Sequence, residues 1–521
     1  MPKLLRWLVS FIVLIVVLIV AVLAYLQLAP SSQATTVRLL LNAVTGYGID
    51  SPKLQQVNQR LQVAEGFSLS VYAKDLANAR MMRVSQRGDL LVTRPRRGEV
   101  VSLLRDNNGD NLPDGQRLLL SGLKRPHGLA FYQQWLYVAE SDAVGRIGFN
   151  HQTGRVEGQY QRLIEGLDDS GNHWSKTLGL GPDGWFYLSS GSTCNVCEET
   201  NPRRATIMRF RPDGSGLSVY ATGLRNSVGF DWAPWDQSLY ATDNGRDLLG
   251  DDFPPCELNK IEAGHFYGWP YINGFAQLDP DLGDALEGAF KGTAEAESAD
   301  LLSQATSPVH GFRPHNAPLG MHFLTQAGWP STFQKTALVA LHGSWNRSER
   351  DGYKVVSLHW QDDGTIVERD FLSGFLSADD VIGRPVDVVQ AADGAVFISD
   401  DYAGVIYRVA YGELPAESVV DAQPTAEAEK QPLLAGDGAR LNELNEQGRQ
   451  LFAQYQCFSC HDAARLKAGR QLVSLDGLAR RYNVPEVMKL IETPTPPMPL
   501  YPLDEAQREA LAVYLLSRFT D

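Results

Sequence analysis

The chain has 521 residues, of which 44% are hydrophobic, so it exceeds one ordinary domain and can form large buried cores. Its 61 acidic residues outnumber the 47 basic ones, and the net charge of −14 argues against nucleic acid as a partner. In so acidic a chain, a local cluster of arginines is informative about an anionic ligand.

Residues 1–28 begin with Lys3 and Arg6 and continue as an uncharged apolar run that is long enough to span a bilayer. The run exceeds the apolar core of a cleavable signal, and Pro30 makes a poor cleavage site, so an uncleaved anchor is expected rather than a removed signal. Because the positive charges precede the run, we expect a single-pass bacterial inner-membrane anchor with the rest of the chain in the periplasm. Residues 29–60 are polar and patternless, which predicts a stalk.

Residues 61–411 alternate short apolar runs with Gly, Asp, Pro and Asn turns, which is typical of an all-β fold. A strand–turn–strand pattern recurs six times, at the spacing of a propeller blade of roughly 40–50 residues. The longest interval holds residues 245–316 and predicts an insertion or lid. The predicted architecture is therefore mainly β, a six-bladed propeller, and a β-sandwich fits less well because the repeats are too many and too long. The six copies lie at 83–92, 125–138, 177–188, 228–241, 319–341 and 385–398.

The composition changes twice more toward the end of the chain. Residues 412–440 are rich in Ala, Glu, Pro and Gln, which predicts a linker. In residues 441–521, apolar side chains recur at helical spacing on both sides of a cysteine motif, and a closing amphipathic helix is predicted at Glu505–Phe519. This pattern predicts a small all-α cytochrome c domain.

The cysteine motif is Cys457-x-x-Cys460-His461, the pattern that attaches a c-type haem. The two thiols form thioethers with the haem, and His461 supplies an axial ligand to the iron. A redox dithiol and half of a zinc site are the alternatives, but the sequence offers neither a βαβ context nor a second ligand pair nearby. Met498, in a proline-rich loop, is the predicted second axial ligand; Met488 is its competitor, and packing on the porphyrin edge is its alternative role.

Four arginines in the predicted propeller follow turns that end strands, namely Arg225, Arg246, Arg347 and Arg384. If these matching positions converge at one mouth of the channel, they form a site for an anion, because guanidinium pairs bidentately with carboxylate. The alternative is that each arginine holds an aspartate of its own blade.

Longer motifs extend this pattern. Residues 223–274 include Gly-Leu-Arg-Asn, Thr-Asp-Asn-Gly-Arg-Asp and Tyr-Gly-Trp-Pro, and residues 341–347 read Leu-His-Gly-Ser-Trp-Asn-Arg. Together with His173 ahead of Leu-Gly-Leu-Gly-Pro-Asp-Gly at 178–184, they resemble the soluble sugar dehydrogenases that depend on pyrroloquinoline quinone (PQQ), in the glucose/sorbosone dehydrogenase branch. Residues 441–521 separately resemble class I cytochromes c.

The resemblance implies PQQ, a planar tricarboxylate, at the mouth of the propeller. It implies that His173 is the general base that takes the substrate's hydroxyl proton while a hydride passes to the quinone. His127 and His342 recur in the same patterns and are expected to be blade or channel-floor residues.

The resemblance also assigns cofactor contacts. Arg225, Asn226 and Arg384 match residues that contact the quinone. Arg347 stands near a position where the sugar dehydrogenases use a lysine, so it is a further candidate for the same role.

Calcium (Ca2+) is implied at the backbone carbonyls of Gly245 and Arg246, where it polarises the reactive carbonyl as a Lewis acid. Two departures from the family concern the base. Asn172 precedes it where an acid is expected, and Ser192 stands near a family aspartate. Both departures bear on the sugar specificity and on the activation of the base.

Three further segments are candidates for structural roles. Asp106–Asp114 has alternating oxygen ligands like a calcium loop but lacks the later glutamate of an EF-hand, so a solvated turn is the alternative. The acidic cluster of Asp251, Asp252 and Glu257 is a second candidate for a structural calcium. Residues 194–197 read Cys-Asn-Val-Cys, which predicts a disulfide that staples a loop.

The sequence therefore predicts a periplasmic quinohaemoprotein dehydrogenase that oxidises a sugar, a sugar aldehyde or a related alcohol with PQQ. Electrons pass singly through haem c to a periplasmic cytochrome or another respiratory acceptor, and the linker keeps this transfer intramolecular. The alternatives are a calcium-dependent, six-bladed lactonase-like hydrolase, which needs neither haem nor cofactor arginines, and a non-catalytic electron-transfer propeller.

Overall fold

The computed structural model describes most of the chain, in two compact units: a larger unit with the β-sheets and a smaller unit with the C-terminal helices. The predicted membrane segment, 1–28, and residues 413–437 of the predicted linker lie outside the described residues. Among the helices that are described, none has the length and apolar character needed to cross a bilayer. The described residues are 31–46, 48–285, 305–325, 328–378, 380–412, 438–461, 475, 478, 482, 484–492, 494, 498–499 and 501–519.

Six antiparallel sheets form the blades of a β-propeller in the larger unit. The innermost strands of all six blades line a central cavity of about 230 Å³. Blades 1 to 3 consist of Met82–Val84, Leu90–Arg94, Glu99–Leu103 and Gln116–Leu120; Leu129–Tyr132, Trp135–Ala139, Ala143–Asn150 and Arg155–Glu165; and Leu178–Leu180, Phe186–Ser190, Thr206–Phe210 and Ser218–Thr222. Blades 4 to 6 consist of Phe230–Trp232, Leu239–Asp243, Cys256–Ile261 and His310–Phe312; Pro318–Phe323, Thr336–Leu341, Lys354–Trp360 and Ile366–Ser373; and Pro385–Gln390, Val396–Asp400, Val405–Tyr411 and Phe67–Ala73.

The six predicted strand–turn–strand copies coincide with the two innermost strands of each blade, so the prediction of a mainly β, six-bladed propeller is confirmed. The second strands are buried on both faces, as in Phe186–Ser190 and Val396–Asp400, because neighbouring blades cover them on either side. This explains their continuous apolar runs. The tight turns ahead of these two strands contain Gly184 and Gly394, which adopt the left-handed φ values of 78° and 87° that favour glycine.

Blade 6 closes the ring with strands from both ends of the domain. Its outermost strand, Phe67–Ala73, precedes all other blades in the chain and pairs antiparallel with Val405–Tyr411. A short strand, Gln62–Val63, likewise adds a fifth strand to blade 5. Opening the ring therefore requires breaking these backbone pairings.

The predicted insertion, 245–316, interrupts blade 4. It contains the blade's third strand, after which the chain forms a small hairpin and a 3-10 turn before the outermost strand begins at His310. Residues 286–304 of the insertion lie outside the described residues. The hairpin strands and remaining short elements are Ile272–Asn273, Gln277–Leu278, Gly283–Ala285, Pro95–Arg97, Ser331–Phe333, Leu376–Ser377 and Asp380–Val381.

The described part of the predicted stalk is folded. It contains helix α1, Ser31–Thr45, and helix α2, Leu54–Arg60. Leu39 and Val57 are buried in a core cluster with side chains of blades 5 and 6. The segment thus packs on the propeller through side chains of both helices, and its sequence includes an apolar run, Leu-Leu-Leu at 39–41, that the description as patternless overlooked.

The smaller unit contains helices α3, Gly438–Gln454; α4, Phe458–His461; α5, Val484–Glu492; and α6, Glu505–Arg518. The predicted helices before and after the cysteine motif are both present. Helices α3 and α6 approach closely at Gly448, where a Cβ atom would lie 2.0 Å from the carbonyl oxygen of Ala510. A glycine is therefore required at this crossing.

Candidate functional site

The predicted site residues of the propeller lie on loops at one end of the channel. His127, Asn226 and Arg384 come shortly before the innermost strands of blades 2, 4 and 6. Because every innermost strand begins at the same end of the channel, these side chains belong to one mouth. Arg80 holds the matching position in blade 1, two residues before Met82, and this position was a signal that the sequence analysis missed.

His173 is half-buried and fixed by Ser192. Its Nδ1 atom lies 2.9 Å from the Ser192 hydroxyl oxygen and 3.1 Å from the Ser192 carbonyl oxygen. The Ser192 hydroxyl donates its own proton to the carbonyl of Cys194 at 2.7 Å, so the network assigns the ring proton to Nδ1. The Nε2 atom is then the lone-pair acceptor, as a general base requires. Ser192 thus does the orienting that a carboxylate does in other histidine bases.

The electrostatic surroundings keep this ring neutral. Burial, followed by the positive charge of Arg225, lowers the pKa of His173 to about 3. The Nε2 lone pair is therefore available throughout the neutral pH range. A bound anion beside the ring would raise this pKa toward the range in which a base is most effective.

Arg204 holds the loop that carries His173. Its guanidinium donates to the carbonyls of Asp168 at 2.6 Å, His173 at 3.2 Å and Ser192 at 2.8 Å. Only 2% of its surface is exposed. The sequence analysis missed this residue because its partners are backbone carbonyls, which leave no pattern in the sequence.

Lys176, a second buried cation, lies under the same loop. Its ammonium group donates to the carbonyls of Asp168 and Trp174, each at 3.1 Å, and burial lowers its pKa to about 7. Lys176 and Arg204 together make the base of this loop electropositive. No feature of the sequence distinguishes Lys176 from a surface lysine.

Arg225 is held by neighbouring loops through four of its five side-chain N–H groups. Its guanidinium donates to the carbonyl and the side-chain oxygen of Asn195, both at 2.9 Å, to the carboxylate of Asp247 at 3.0 Å and to the carbonyl of Asn244 at 3.2 Å. Its backbone N–H donates to Asp243 at 2.9 Å. Arg225 is therefore fixed in position, with 3% of its surface exposed.

Gly191 brings Asn226 next to His173. A Cβ atom on Gly191 would lie 2.6 Å from the His173 Cβ and 2.7 Å from the Asn226 side-chain oxygen. The backbone N–H of Asn226 donates to Asp243 at 2.6 Å, which fixes its side of the contact. The structure therefore groups three of the predicted site residues, His173, Arg225 and Asn226.

Blades 5, 6 and 1 supply the other side of the mouth. Arg384 donates to the carbonyls of His342 at 3.0 Å and Gly343 at 3.1 Å. The His342 ring pairs with Asp401 at 2.9 Å, and Arg80 pairs with the same carboxylate at 2.5 Å. Burial and the charge of Arg384 lower the pKa of His342 to about 4.

His127 lies between the two sides. It is completely buried, its ring contacts Trp174 edge-on at 6.1 Å, and burial and the charge of Arg80 hold its pKa well below the usual value. The nearby charge of Lys176 acts in the same direction. His127 is thus a neutral residue in the interior of the channel, as the sequence analysis expected.

Two predicted arginines contact the blade 4 insertion instead. Arg246 donates to both oxygens of Asp279, at 2.6 and 2.7 Å, and to Asp281 at 2.7 Å. Arg347 donates to the carbonyls of Asp251 and of Pro314, the latter at 3.3 Å. For the Arg246 side chain, the alternative of an aspartate partner in its own blade is therefore the one observed.

The predicted calcium ligands are backbone atoms. Among the described residues, no donor is bonded to the carbonyl oxygen of Gly245 or of Arg246, so both oxygens are compatible with a cation. Asp243 and Glu257 face each other across neighbouring strands. Burial raises the pKa of Asp243, and burial together with the charge of Asp243 raises the pKa of Glu257. A cation nearby would favour the ionised forms of both carboxyl groups and so lower both pKa values.

The acidic cluster predicted around Asp251 and Glu257 is not assembled. Asp251 bonds to Ser348, whereas Glu257 accepts from the backbone N–H of Gly274 at 2.9 Å and from Asn259 at 3.0 Å. The two carboxylates therefore have separate partners.

The segment Asp106–Asp114 is closed by its own hydrogen bonds. Asp106 accepts from the backbone N–H groups of Gly109 at 2.6 Å and Asn111 at 2.8 Å, and Asp114 accepts from Asn107. These contacts are those of a turn closed by its own side chains.

Cys194 and Cys197 form the predicted disulfide. With Glu199 they make the one group of three His, Cys, Asp or Glu side chains in the described part of the chain that lies within metal-binding distance. Because both sulfurs are in the disulfide, the group serves as a loop staple, as the sequence analysis predicted.

In the smaller unit, helix α4 follows Cys457 and ends at His461, whose side chain is half-buried. Met498 is also half-buried, in a bend ahead of α6. Its competitor, Met488, lies in α5 and packs against the helical core. Of the two candidate methionines, Met498 is therefore the one that lies outside a helix.

Sequence comparison relates the propeller to known proteins. A family model described as TrAA12-like matches residues 61–412. An uncharacterized protein of Borreliella burgdorferi is 29% identical over 314 residues, which cover 56% of this chain and 77% of the relative. A pyrroloquinoline quinone-dependent pyranose dehydrogenase of Coprinopsis cinerea is 25% identical over 422 residues, which cover 69% of this chain and 56% of that enzyme, so the chain spans little more than half of its length.

Two solved structures share the propeller fold. One is a calcium structure of a Trichoderma reesei carbohydrate-active enzyme of family AA12, with 22% identity, a TM-score of 0.56, and coverage of 68% of this chain and 97% of the other. The second is the holo form of the PQQ domain of the Coprinopsis cinerea pyranose dehydrogenase, with 22% identity, a TM-score of 0.54, and coverage of 67% and 97%.

Proposed function

The chain belongs to the TrAA12-like family, and from this premise we propose that its propeller uses PQQ to oxidise a sugar, a sugar aldehyde or a related alcohol. The observation that carries the proposal is a single mouth in which His173, whose Nε2 has no hydrogen-bond partner among the described residues, lies beside Arg225 and opposite Arg384. The pyranose dehydrogenase among the relatives supports this reaction class.

The residues present fit an anionic, planar cofactor. Arginine carries five N–H donors, and four of those on Arg225 have partners among the described residues, so one N–H on Nη1 remains for a ligand. In Arg384, Nη1 has no partner within the described residues. Two buried guanidinium groups from different blades can therefore each bind a carboxylate of PQQ.

When bound, PQQ supplies a quinone carbonyl that accepts a hydride from the substrate carbon. His173 takes the hydroxyl proton at Nε2, while its Nδ1–H stays bonded to Ser192 and holds the ring plane. The carboxylates of the cofactor would offset the charge of Arg225. The pKa of His173 would then rise, and His173 would be a stronger base while the cofactor is bound. Asn226, next to the ring, is placed to orient the substrate or the cofactor through its amide.

Calcium belongs to the same proposal. The unengaged carbonyls of Gly245 and Arg246 would hold it, and hard oxygen ligands of this kind suit Ca2+. Its charge would favour the ionised forms of the nearby buried acids.

We further propose that residues 441–521 carry haem c, with thioether bonds at Cys457 and Cys460 and with His461 and Met498 on the iron. The half-buried position of Met498, outside a helix, supports its choice over Met488. In this proposal, residues 1–28 anchor the protein in a bacterial inner membrane. The haem then passes electrons in the periplasm to a cytochrome or another respiratory acceptor.

Reconstitution of the purified protein tests the proposal. PQQ and Ca2+ are added, then aldoses, aldehydes and lactones in turn, while the reduced-haem absorbance and an electron-accepting dye are followed. Sugar-dependent reduction of both supports the proposal, and His173→Gln should abolish it. Hydrolysis of a lactone without reduction would support the lactonase alternative, and no response to any compound would support the non-catalytic one. The haem part is tested separately, since Met498→Ala should change the haem spectrum and Met488→Ala should not.

A further inference from the structure

Several segments of the candidate site meet at Asn195, which lies in the loop closed by the disulfide at 194–197. Its backbone oxygen accepts from Nε of Arg225 at 2.9 Å and from the indole N–H of Trp269 at 3.3 Å. Its side-chain oxygen accepts from Nη2 of Arg225 at 2.9 Å and from the backbone N–H of Asp247 at 2.8 Å. Its amide nitrogen donates to the backbone oxygen of Asp247 at 3.0 Å. Asn195 therefore joins the disulfide loop, Arg225 and the blade 4 loop.

Asparagine is suited to this position by its chemistry. The contacts use two acceptor sites on its side-chain oxygen and one donor on its amide nitrogen, all on a short side chain. Aspartate lacks the donor, and alanine lacks both groups. The side-chain oxygen and the backbone oxygen of this one residue also receive two parallel N–H bonds from Arg225, which sets the plane of the guanidinium group.

This contact orients Arg225 without neutralising it. Asn195 is uncharged, so the ion pair with Asp247, at 3.0 Å, is the only carboxylate contact of the guanidinium in the described residues. Because four of the five side-chain N–H groups of Arg225 have partners, the orientation of the fifth N–H group, on Nη1, is fixed. The backbone oxygen of Arg225 accepts from the N–H of Ser192 at 2.7 Å, which places the arginine directly beside the orienting partner of His173.

We propose that Asn195 is a positioning residue that holds Arg225 in its ligand-binding orientation beside His173, and that the disulfide keeps the Asn195 loop closed around this contact. The inference rests on the proposed function, because it takes Arg225 to serve an anionic cofactor. The disulfide acts by limiting the conformations open to a short loop, so that the loop loses little entropy when it binds Arg225.

The test compares Asn195→Ala with Asn150→Ala as a matched control. Asn150 also uses its amide for three hydrogen bonds, to Glu157 and to the backbone N–H groups of Gln152 and Thr153, but it lies in the hairpin at the other end of blade 2. Two quantities are measured for each variant: the His173 pKa in the protein without PQQ, by NMR of labelled histidines, and the PQQ dissociation constant, by quenching of tryptophan fluorescence.

We expect Asn195→Ala to raise the His173 pKa, as Arg225→Gln should also do, and to weaken PQQ binding at least tenfold. The double variant Cys194→Ser/Cys197→Ser should shift both quantities in the same direction by less, and Asn150→Ala should shift neither. A thermal melt of each variant checks that it folds, and Asn195→Ser is the substitute should Asn195→Ala fail to fold.

The proposal is overturned if Asn195→Ala leaves the His173 pKa unchanged, or if its PQQ affinity stays within twofold of the Asn150→Ala control. Failure of the proposed function has a different signature, namely that the wild-type protein binds no PQQ. In that case the His173 titration still decides whether Asn195 positions Arg225.

Discussion

Four arginines follow strand-ending turns in the same way, yet the structure divides them into two pairs. Arg225 and Arg384 are held mainly by backbone and amide oxygens, with one carboxylate contact from Arg225 to Asp247, and both keep donors for a ligand at the mouth. Arg246 and Arg347 are turned toward the blade 4 insertion and use their donors there. The direction in which each guanidinium group is turned, rather than the position of the arginine in a repeat, therefore separates a candidate cofactor-binding arginine from a structural one.

The largest effect on activity is expected from substitution of His173, the candidate base, which lies at the same mouth as Arg225 and Arg384. His173→Gln should lower kcat/KM by about 10²- to 10⁴-fold, the usual contribution of a general base, while PQQ still binds. Steady-state kinetics with the best sugar and a PQQ titration measure the two quantities. His151→Gln is the control, because that half-buried histidine lies in the hairpin at the other end of blade 2, where its Nε2 contacts the carbonyl of Gln133. Equal losses in both variants would show that His173 has no special role.

Substitution of Arg246, from the second pair, should lower the free energy of unfolding. Arg246→Met leaves the Asp279 carboxylate buried without its partner, and breaking a buried ion pair in this way costs about 3–5 kcal/mol. Urea denaturation should show this loss, whereas PQQ affinity should change little. If PQQ affinity fell as much as for Arg225→Met, Arg246 would belong to the first pair instead.

Arg384 and Arg347 give the matched test of cofactor binding. Arg384→Met should weaken PQQ binding by at least about thirtyfold, equivalent to about 2 kcal/mol, because it removes a buried charge from an anion site. Arg347→Met should change the dissociation constant by less than about threefold, as expected for an arginine bonded to carbonyls at the rim. Fluorescence titration of both variants measures the difference, and the reverse order would contradict the division into pairs.

A smaller effect is expected at Ser192, which sets the tautomer of His173. Ser192→Ala removes one of two acceptors for the Nδ1 proton, and kcat should fall about tenfold, the lower end of what an orienting partner contributes. Ser192→Thr keeps the hydroxyl and should restore most of the rate. A Ser192→Ala enzyme with unchanged kcat would show that the Ser192 carbonyl alone orients the ring.

The last prediction concerns the pH dependence of stability. The folded protein holds the pKa of His173 near 3, below its ordinary value of 6.5, so between these values the unfolded chain binds a proton that the folded protein does not. This residue therefore makes the protein less stable as the pH falls through that window. The melting temperature of His173→Gln relative to wild type should rise as the pH is lowered from 6.5. A difference that is independent of pH would contradict the assigned environment of His173.

The sequence was sufficient where a local pattern encodes the structure. The six blade repeats, the disulfide at 194–197 and the helices around the cysteine motif were all predicted, because alternation, turn residues and spacing are local properties. Arg204, Lys176 and Asn195 were missed, because each bonds mainly to backbone atoms that are brought near by the fold. The different partners of Arg225 and Arg246 could not be predicted either, because they depend on where the fold places the carboxylate of Asp279.

The most direct test of the account is a PQQ titration of two double variants. Arg225→Met/Arg384→Met should lose measurable PQQ binding, whereas Arg246→Met/Arg347→Met should bind PQQ in a one-to-one complex with nearly the wild-type affinity, provided that it remains folded. Similar affinities in the two double variants would contradict the claim that arginines from separate blades that keep a donor for a ligand at the mouth form the cofactor site.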